Sequence, residues 1–153
     1  MTTALLRVDA AGPLTSIQDR GRPGWLRLGI TASGPVDAMA FEAAVTAARC
    51  PNPIAIELGG GGIAITCEAG PVGFALCGPG FTATVDGTAL GSWSVATLES
   101  GSRLVVRSGQ GNWGYLAFAG LLQAERWLGS AATHSALGLG GGRLVPGRAL
   151  IVE

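Results

Sequence analysis

Lysine is absent from this chain: all ten basic residues are arginine. That absence excludes biotin attached covalently to the chain, a lysine Schiff base of the pyridoxal type, and a phosphate loop of the G-x-x-x-x-G-K kind. Histidine is almost as scarce, with His134 alone in SAATHSALG. A Ser-His-Asp triad would have to use it with Ser130 or Ser135, yet no G-x-S-x-G elbow exists, so His134 reads as a surface-loop residue. A lone histidine leaves only carboxylates and scattered thiols as co-ligands, so no metal site is expected. The three cysteines, Cys50, Cys67 and Cys77, are odd in number and never in C-x-x-C spacing. This argues against a disulfide framework and for a reducing, cytoplasmic compartment. Cys67 shares a strand face with Ile63 and Ile65 and reads as a small core hydrophobe.

Charge is scarce as well: 13% of residues, with a formal net charge of zero. No basic surface is predicted to track phosphates, which sets nucleic acid aside as a partner. The opening MTTALLRVDAAG lacks a basic segment followed by a long apolar run, so no secretion signal is read there. No apolar stretch reaches membrane-spanning length without Gly, Pro or a charge, so no membrane partner is expected.

What is there suits one globular domain over 1–153. The chain has 153 residues, 48% of them hydrophobic, and a mean hydropathy of +0.42. An apolar chain without net charge tends to self-associate, which predicts an oligomer or a covering partner. Short apolar segments at 5–9, 14–18, 25–30, 54–58, 63–67, 72–77, 81–85, 88–90, 94–99, 103–107, 113–119 and 148–152 read as strands. Asp86-Gly87 between two of them signals a two-residue hairpin. One helix is predicted over about 35–49, with Val36, Ala40, Phe41, Ala44 and Ala48 on one stripe, Ser33 or Asp37 as its cap, and Cys50-Pro51 at its end. A second short helical turn is expected near 122–128. Many short strands, tight turns and 26 glycines predict a mainly β chain closed into an antiparallel barrel.

Residues 15–24, TSIQDRGRPG, gather Asp19, Arg20 and Arg22 within four positions. Glycines and a proline around them suit either a solvated turn with Asp19 paired to Arg22 or a rigid loop that aims polar groups at a ligand. Asp37 and Glu57 likewise sit where apolar segments meet turns. Of the glycine-rich stretches, GLGGGR (138–143) is the one where Arg143 and backbone amides suit an anion.

The segment GPLTSIQDRGRPGWLRLGITASGPVDAMAF (12–41) resembles the biotin-dependent carboxyltransferase family, also called allophanate hydrolase subunit 2. That family includes one of the subunits of the prokaryotic 5-oxoprolinase and the carboxyltransferase portion of urea carboxylase. The family pattern T-x-x-Q-D-x-G-R-x-G, then G-[VI]-x-x-S-G-x-x-D, is carried by Thr15, Gln18, Asp19, Gly21, Arg22, Gly24, Gly29, Ser33, Gly34 and Asp37. Further matches run in order: Glu57 with the glycines after it, Tyr115-Leu116-Ala117 with Gly120, Leu128-Gly129-Ser130, and Gly138 to Gly141.

The resemblance implies a cyclophilin-like β-barrel corresponding to the first half of a two-barrel family chain. It implies a partner too: a second carboxyltransferase-type subunit or the other half. The implied activity is ATP-dependent opening of a cyclic amide, or carboxyl transfer between biotin and a urea-like acceptor. ATP with Mg, or biotin carried by a partner, would then enter through the complex. By the same resemblance Asp37 and Glu57 are the candidate catalytic carboxylates. Gln18, Arg22, Ser33, Tyr115 and Ser130 are candidate contacts for a small-molecule substrate, and Asp19, Gly21 and Gly24 shape the loop. Three departures weigh towards a second reading. The chain matches one half only. Glu42 and Val45 stand where the family carries arginine and asparagine. Its G-S-R-S-T reads Gly129-Ser130-Ala131-Ala132-Thr133 here. That second reading is a non-catalytic barrel that regulates or binds a partner, or self-assembles.

Overall fold

The computed structural model describes residues 3–111 and 113–153, so the first two residues of the opening segment lie outside it. The strands are β1 (Ala4–Ala11), β2 (Ser16–Gln18), β3 (Ala55–Leu58), β4 (Ile63–Ala69), β5 (Val72–Cys77), β6 (Thr82–Val85), β7 (Thr88–Leu90), β8 (Ser94–Leu98), β9 (Arg103–Arg107), β10 (Gly114–Phe118) and β11 (Ala149–Val152). One α-helix, α1 (Ala38–Ala47), lies between β2 and β3.

The strands form two antiparallel sheets, ordered β11-β1-β4-β9-β6-β7 and β2-β3-β10-β5-β8. The fold is mainly β as expected, but the described strands do not pair into a closed barrel. Period-2 burial explains the layering. Ile56 and Leu58 of β3, Phe74 and Leu76 of β5, and Leu116 and Phe118 of β10 enter a core shared with Leu6, Val8, Ile65, Cys67, Leu104 and Val106 of the other sheet. The alternate residues Ala55, Ala75, Cys77, Tyr115 and Ala117 point the other way and pack against α1. Three alanines on that face let the helix approach closely. The central strand β10 is therefore buried along its whole length.

Helix α1 follows from its caps. Asp37 accepts a hydrogen bond from the Ala40 amide at 3.0 Å, so Asp37 and not Ser33 is the cap, and Pro35 lies ahead of the first turn. At the other end Arg49 adopts φ 54°, and Cys50 and Arg49 donate to the Val45 and Thr46 carbonyls at 2.9 and 3.0 Å. This is the doubly bonded left-handed cap usually built on glycine. Ala40, Phe41, Ala44, Val45 and Ala48 are buried, whereas Val36, expected on that stripe, is exposed.

Two segments depart from the sequence reading. Residues 25–30, expected as a strand, instead make a 3-10 turn over Leu26–Leu28. Gly29 at φ 77° ends it, its amide donating to the Leu26 carbonyl. The alternation of apolar residues there has no neighbouring strand to pack on, and both leucines are exposed. Residues 122–128 are not helical. The amides of Leu121 and Gln123 donate to the Glu153 and Ile151 carbonyls at 2.6 and 2.9 Å, so this stretch runs along the free edge of β11. Covering an open edge outweighs local helix propensity. The Asp86-Gly87 hairpin forms as read, with φ 49° and 83° at its two central residues.

Candidate functional site

The TSIQDRGRPG loop is a latch for a distant segment. Asp19 Oδ1 accepts from the Gly21 amide at 2.8 Å, the Ser130 hydroxyl at 2.5 Å and the Ala132 amide at 3.2 Å, while Oδ2 accepts from the Ala131 amide at 2.7 Å. Arg22 is 2% exposed. Its Nε donates to the Trp127 carbonyl at 3.1 Å, its Nη1 to Ser33 Oγ at 3.1 Å, and its Nη2 to the carbonyls of Ser130 and Ala132. The guanidinium also lies 5.0 Å from the centre of the Trp127 ring. Asp19 and Arg22 therefore do not pair directly as expected. Each grips the 127–132 segment, and the ion pair of Asp19 is with Arg126 at 3.7 Å. Burial lowers the Arg22 pKa, and Asp19 opposes that through space. Ser130, whose Oγ also accepts from the Ala132 amide, is committed to this latch.

Gly21 has φ 87°, and a side chain there would meet the Ala32 and Ser33 carbonyls at 2.8 Å. Only glycine lets the loop approach 32–34 this closely. Gly24 also has positive φ, 95°, but faces open space. Arg20 lies outside the latch and forms a forked, exposed ion pair with Glu42 at 2.7 and 2.9 Å.

A second network joins the five-stranded sheet to the start of α1. Glu57, on β3, directs Oε2 to the Val36 amide at 2.9 Å and accepts the Tyr115 hydroxyl proton at 2.7 Å. The Tyr115 oxygen in turn accepts from the Asp37 amide at 2.9 Å. Strand pairing puts Tyr115 directly opposite Glu57, so the contact follows from the β3–β10 register. Phe41 holds the Tyr115 ring edge-on, with centroids 5.8 Å apart. Burial pushes the Glu57 carboxyl above the ordinary carboxylate range, against the pull of the Val36 and Tyr115 hydrogen bonds. Because Oε2 already accepts two hydrogen bonds, a neutral Glu57 carries its proton on Oε1. A carboxyl of this kind can take up and return a proton.

Glu57 borders a cleft of about 430 Å³. Gln18, Ser33 and Val36 line it from the β2 and pre-helix side, Trp113 from the start of β10, and Thr133 and His134 from the latched segment. Of the expected site residues, the structure brings Gln18, Ser33 and Glu57 into this cleft. Gln18 is not left free: its Nε2 donates to Ser16 Oγ at 3.0 Å and its Oε1 accepts from the Gly34 amide at 3.1 Å. Ser33 sits at φ 56° with Oγ accepting from Arg22. Asp37 caps the helix, Tyr115 is fully buried behind Glu57, and Arg22, Asp19 and Ser130 form the latch. None of these five is in the cleft lining. Among the described residues no group of three His, Cys, Asp or Glu is gathered to hold a metal.

His134 is the residue that sequence reasoning missed. It is no surface-loop histidine: it is 8% exposed, borders the cleft and meets the Trp127 ring edge-on at 5.5 Å. No local signal marked it: it follows the 127–132 segment, which the distant Asp19 and Arg22 hold. GLGGGR, in contrast, is packing material and not an anion cradle. A side chain on Gly141 would lie 2.6 Å from Ile17 Cγ2, and Arg143 is exposed with its carbonyl accepting from Arg148 at 2.7 Å. No described helix is long and apolar enough to cross a membrane.

The family model "Carboxyltransferase domain, subdomain A and B" matches residues 28–153. The chain is 32% identical over 145 residues to the 5-oxoprolinase C-subunit of Escherichia coli, covering 92% of this chain and 46% of that protein. It is likewise 32% identical over 145 residues to urea amidolyase of Saccharomyces cerevisiae, covering 89% of this chain and 8% of that one. Among solved structures, the Kluyveromyces lactis urea carboxylase superposes with a TM-score of 0.91 at 25% identity, over 99% of this chain and 14% of its own. The chain thus spans under half the length of each of these proteins.

Proposed function

The chain belongs to the carboxyltransferase-domain family, and from that premise we propose that it is a cytoplasmic subunit, or half-subunit, of an enzyme acting on a C–N bond. The reaction is ATP-dependent opening of a cyclic amide or biotin-dependent carboxyl transfer, in an active site that the cleft shares with a partner. The observation that carries this reading is Glu57. It is a buried carboxyl with a raised pKa, its Oε2 fixed by Val36 and Tyr115, at the border of a ligand-sized cleft. Glu57 serves as the proton-transfer group. Asp37 positions it by capping the helix whose leading amides reach Glu57 and Tyr115. Gln18 and Ser33 hold the wall facing the substrate. The partner is a second carboxyltransferase-type subunit or the other half of the family chain, in keeping with the 46% of the bacterial relative that this chain spans. The cyclophilin-like form of the barrel rests on family resemblance alone.

The residues present do not fit the cofactors themselves. With no lysine in the chain, covalent biotin belongs to a partner. At the start of α1 the Val36, Asp37 and Ala40 amides are already engaged by Glu57, Tyr115 and Asp37, which weighs against a nucleotide phosphate there. Nucleotide and Mg are therefore assigned to the partner.

The test is purification from the native host with identification of co-purifying chains, followed by assay of the complex with ATP and either 5-oxoproline or urea. A stoichiometric carboxyltransferase-type partner is expected, with turnover falling at least about 100-fold in Glu57→Gln, the scale of a lost general acid–base. A chain that emerges alone or as a homo-oligomer overturns the enzyme reading in favour of a non-catalytic binding module, whereas turnover unchanged in Glu57→Gln overturns the role given to Glu57. The departures from the family pattern at Glu42, Val45, Ala131 and Ala132 favour the non-catalytic alternative.

A further inference from the structure

We propose that a groove of about 460 Å³ on the outer face of the six-stranded sheet binds a flat, apolar organic carboxylate, its head on Arg107 and its body over Ala10, Ala64 and Val105. The groove shares no lining residue with the cleft, so the inference stands apart from the enzymatic reading.

Strand register builds the floor. Ala10 of β1 pairs with Ala64 of β4, and Ala64 pairs with Val105 of β9, so the three lie in one row across the sheet. On their strands Ala64 and Val105 alternate with Ile63, Ile65, Leu104 and Val106, which enter the core, and they therefore face outward. Strict alternation after Leu6 and Val8 would turn Ala10 inward. The register shift between Val8 and Ala10 turns it out instead and exposes it, and Ala11 packs on the core. Two alanines and a valine on adjacent strands leave a shallow apolar bed, which suits the face of a planar body.

Charge places the head. Arg103 and Arg107 are exposed and lie on the same face of β9 as Val105, one at each end of the bed. The described lining holds no acid. The acids nearby are at the Arg103 end. Asp9 accepts from Arg103 Nε at 3.1 Å, and Asp86 Oδ1 accepts from the Arg103 amide at 2.8 Å. Among the described residues no acid pairs with Arg107. Its neighbour on β6 is Thr82. On its other flank lies Gly62, where a Cβ would stand 2.0 Å from the Val106 carbonyl oxygen and 3.1 Å from Arg107 Cα. Glycine is required there, and no side chain at that position competes with Arg107 for space. One unmatched guanidinium suits one carboxylate, which it can hold through two parallel N–H donors. Arg103 closes the far end of the bed.

Three small probes separate head from body: benzoate, its neutral counterpart benzamide, and acetate. Each is titrated into the full chain at constant ionic strength, with the backbone amides of Gly62, Ala64 and Val105 followed by NMR. Benzoate is expected to shift these signals saturably with a Kd on the order of 1–10 mM, as suits so small a ligand. Benzamide lacks the charge and acetate the ring, so each should bind at least about fivefold more weakly. Arg107→Gln should weaken benzoate at least about fivefold, towards the benzamide level. Ala10→Leu, which fills the bed from an exposed position, should do the same to benzoate and leave acetate as in the parent. Arg143→Gln removes an exposed arginine outside the groove and should leave benzoate binding unchanged. Retained dispersion of the backbone amide signals shows that each variant is folded. Absence of a saturable benzoate shift at the three amides overturns the proposal, as do shifts confined to the cleft residues Trp113 and Thr133. Benzamide or acetate binding as tightly as benzoate, parent-like binding by folded Arg107→Gln, or an equal loss in Arg143→Gln overturns it too.

Discussion

The Tyr115 hydroxyl lies 2.7 Å from Glu57 Oε2 and simultaneously accepts the Asp37 amide proton at 2.9 Å. One phenol oxygen thus ties the central strand, the buried carboxyl and the start of the helix together. Tyr115→Phe removes that oxygen, leaving the Asp37 amide without its acceptor and Glu57 without one of the two hydrogen bonds that hold its pKa down. A loss of about 1–3 kcal/mol in denaturant unfolding is expected. The Glu57 carboxyl, followed by NMR titration, should protonate at higher pH than in the parent. An unchanged Glu57 titration would mean that the phenol does not control it.

Glu57 also makes stability depend on pH in a direction opposite to a salt-bridged carboxylate. Its pKa is raised in the fold, chiefly by burial. The folded state therefore binds more protons than the unfolded state between the unfolded and folded pKa values, and ∂ΔG/∂pH is negative there. The contribution of Glu57 is fully present below its unfolded pKa and is lost as pH rises through the folded one. Glu57→Gln cannot titrate. Its stability relative to the parent should therefore improve as pH rises from mildly acidic to neutral, measured by urea unfolding at matched ionic strength. A gap independent of pH would show that Glu57 titrates alike in both states.

The latch predicts its own failure. Asp19 uses both carboxylate oxygens to hold 130–132, including the amides of Ala131 and Ala132. Asp19→Asn keeps the size but replaces one acceptor oxygen with an NH2 that faces a backbone N–H. The expected cost is about 1–3 kcal/mol, with faster hydrogen exchange at the Ala131 and Ala132 amides. The His134 ring signal should move with it, because the same segment carries the imidazole to the cleft. Exchange unchanged at both amides would show that Asp19 is not what holds the segment.

Gly141 gives a packing test. A methyl there would meet Ile17 Cγ2 at 2.6 Å and the Ala131 carbonyl at 2.9 Å, whereas one on Gly60 meets nothing within 4 Å. Gly141→Ala should cost about 1–3 kcal/mol by overpacking. Gly60→Ala should stay within about 0.5 kcal/mol, the range of surface changes away from special features. Equal effects of the two would show that the loop yields at Gly141.

Period-2 alternation made the strands legible in the sequence, because it reports burial on one face of a paired strand. It misled at 25–30, where Leu26, Leu28 and Ile30 alternate with Trp25, Arg27 and Gly29 but no strand lies alongside. It was silent on how the sheets close, since pairing between distant edges leaves no local mark. Helix-period spacing around α1 was legible for the same reason as the strands, whereas the apparent turn at 122–128 yielded to the open edge of β11. At the site, Asp19 and Arg22 stood out because charge is rare in this chain. Their shared target, the 127–132 segment more than a hundred residues on, has no local signature. His134 escaped for that reason: what places it at the cleft is a long-range contact, not its neighbours in sequence.

Asp37 separates a positioning carboxylate from a reacting one. Its Oδ1 accepts from the Ala40 amide at 3.0 Å, and it is not in the cleft lining. Asparagine caps helices about as well as aspartate, while alanine does not. If Asp37 acts by capping, Asp37→Asn should lose only a few tenths of a kcal/mol and Asp37→Ala about 1 kcal/mol. In the partner complex, Asp37→Asn should then retain most of the turnover and Asp37→Ala should lose it in step with Glu57 reorientation, read as a shift in the pH profile. If Asp37 instead exchanges a proton with substrate, Asp37→Asn should abolish turnover while its stability stays intact. Asp37→Asn thus separates the two roles, active under the first and inactive under the second, and one pair of unfolding curves with one pair of rate measurements tells them apart.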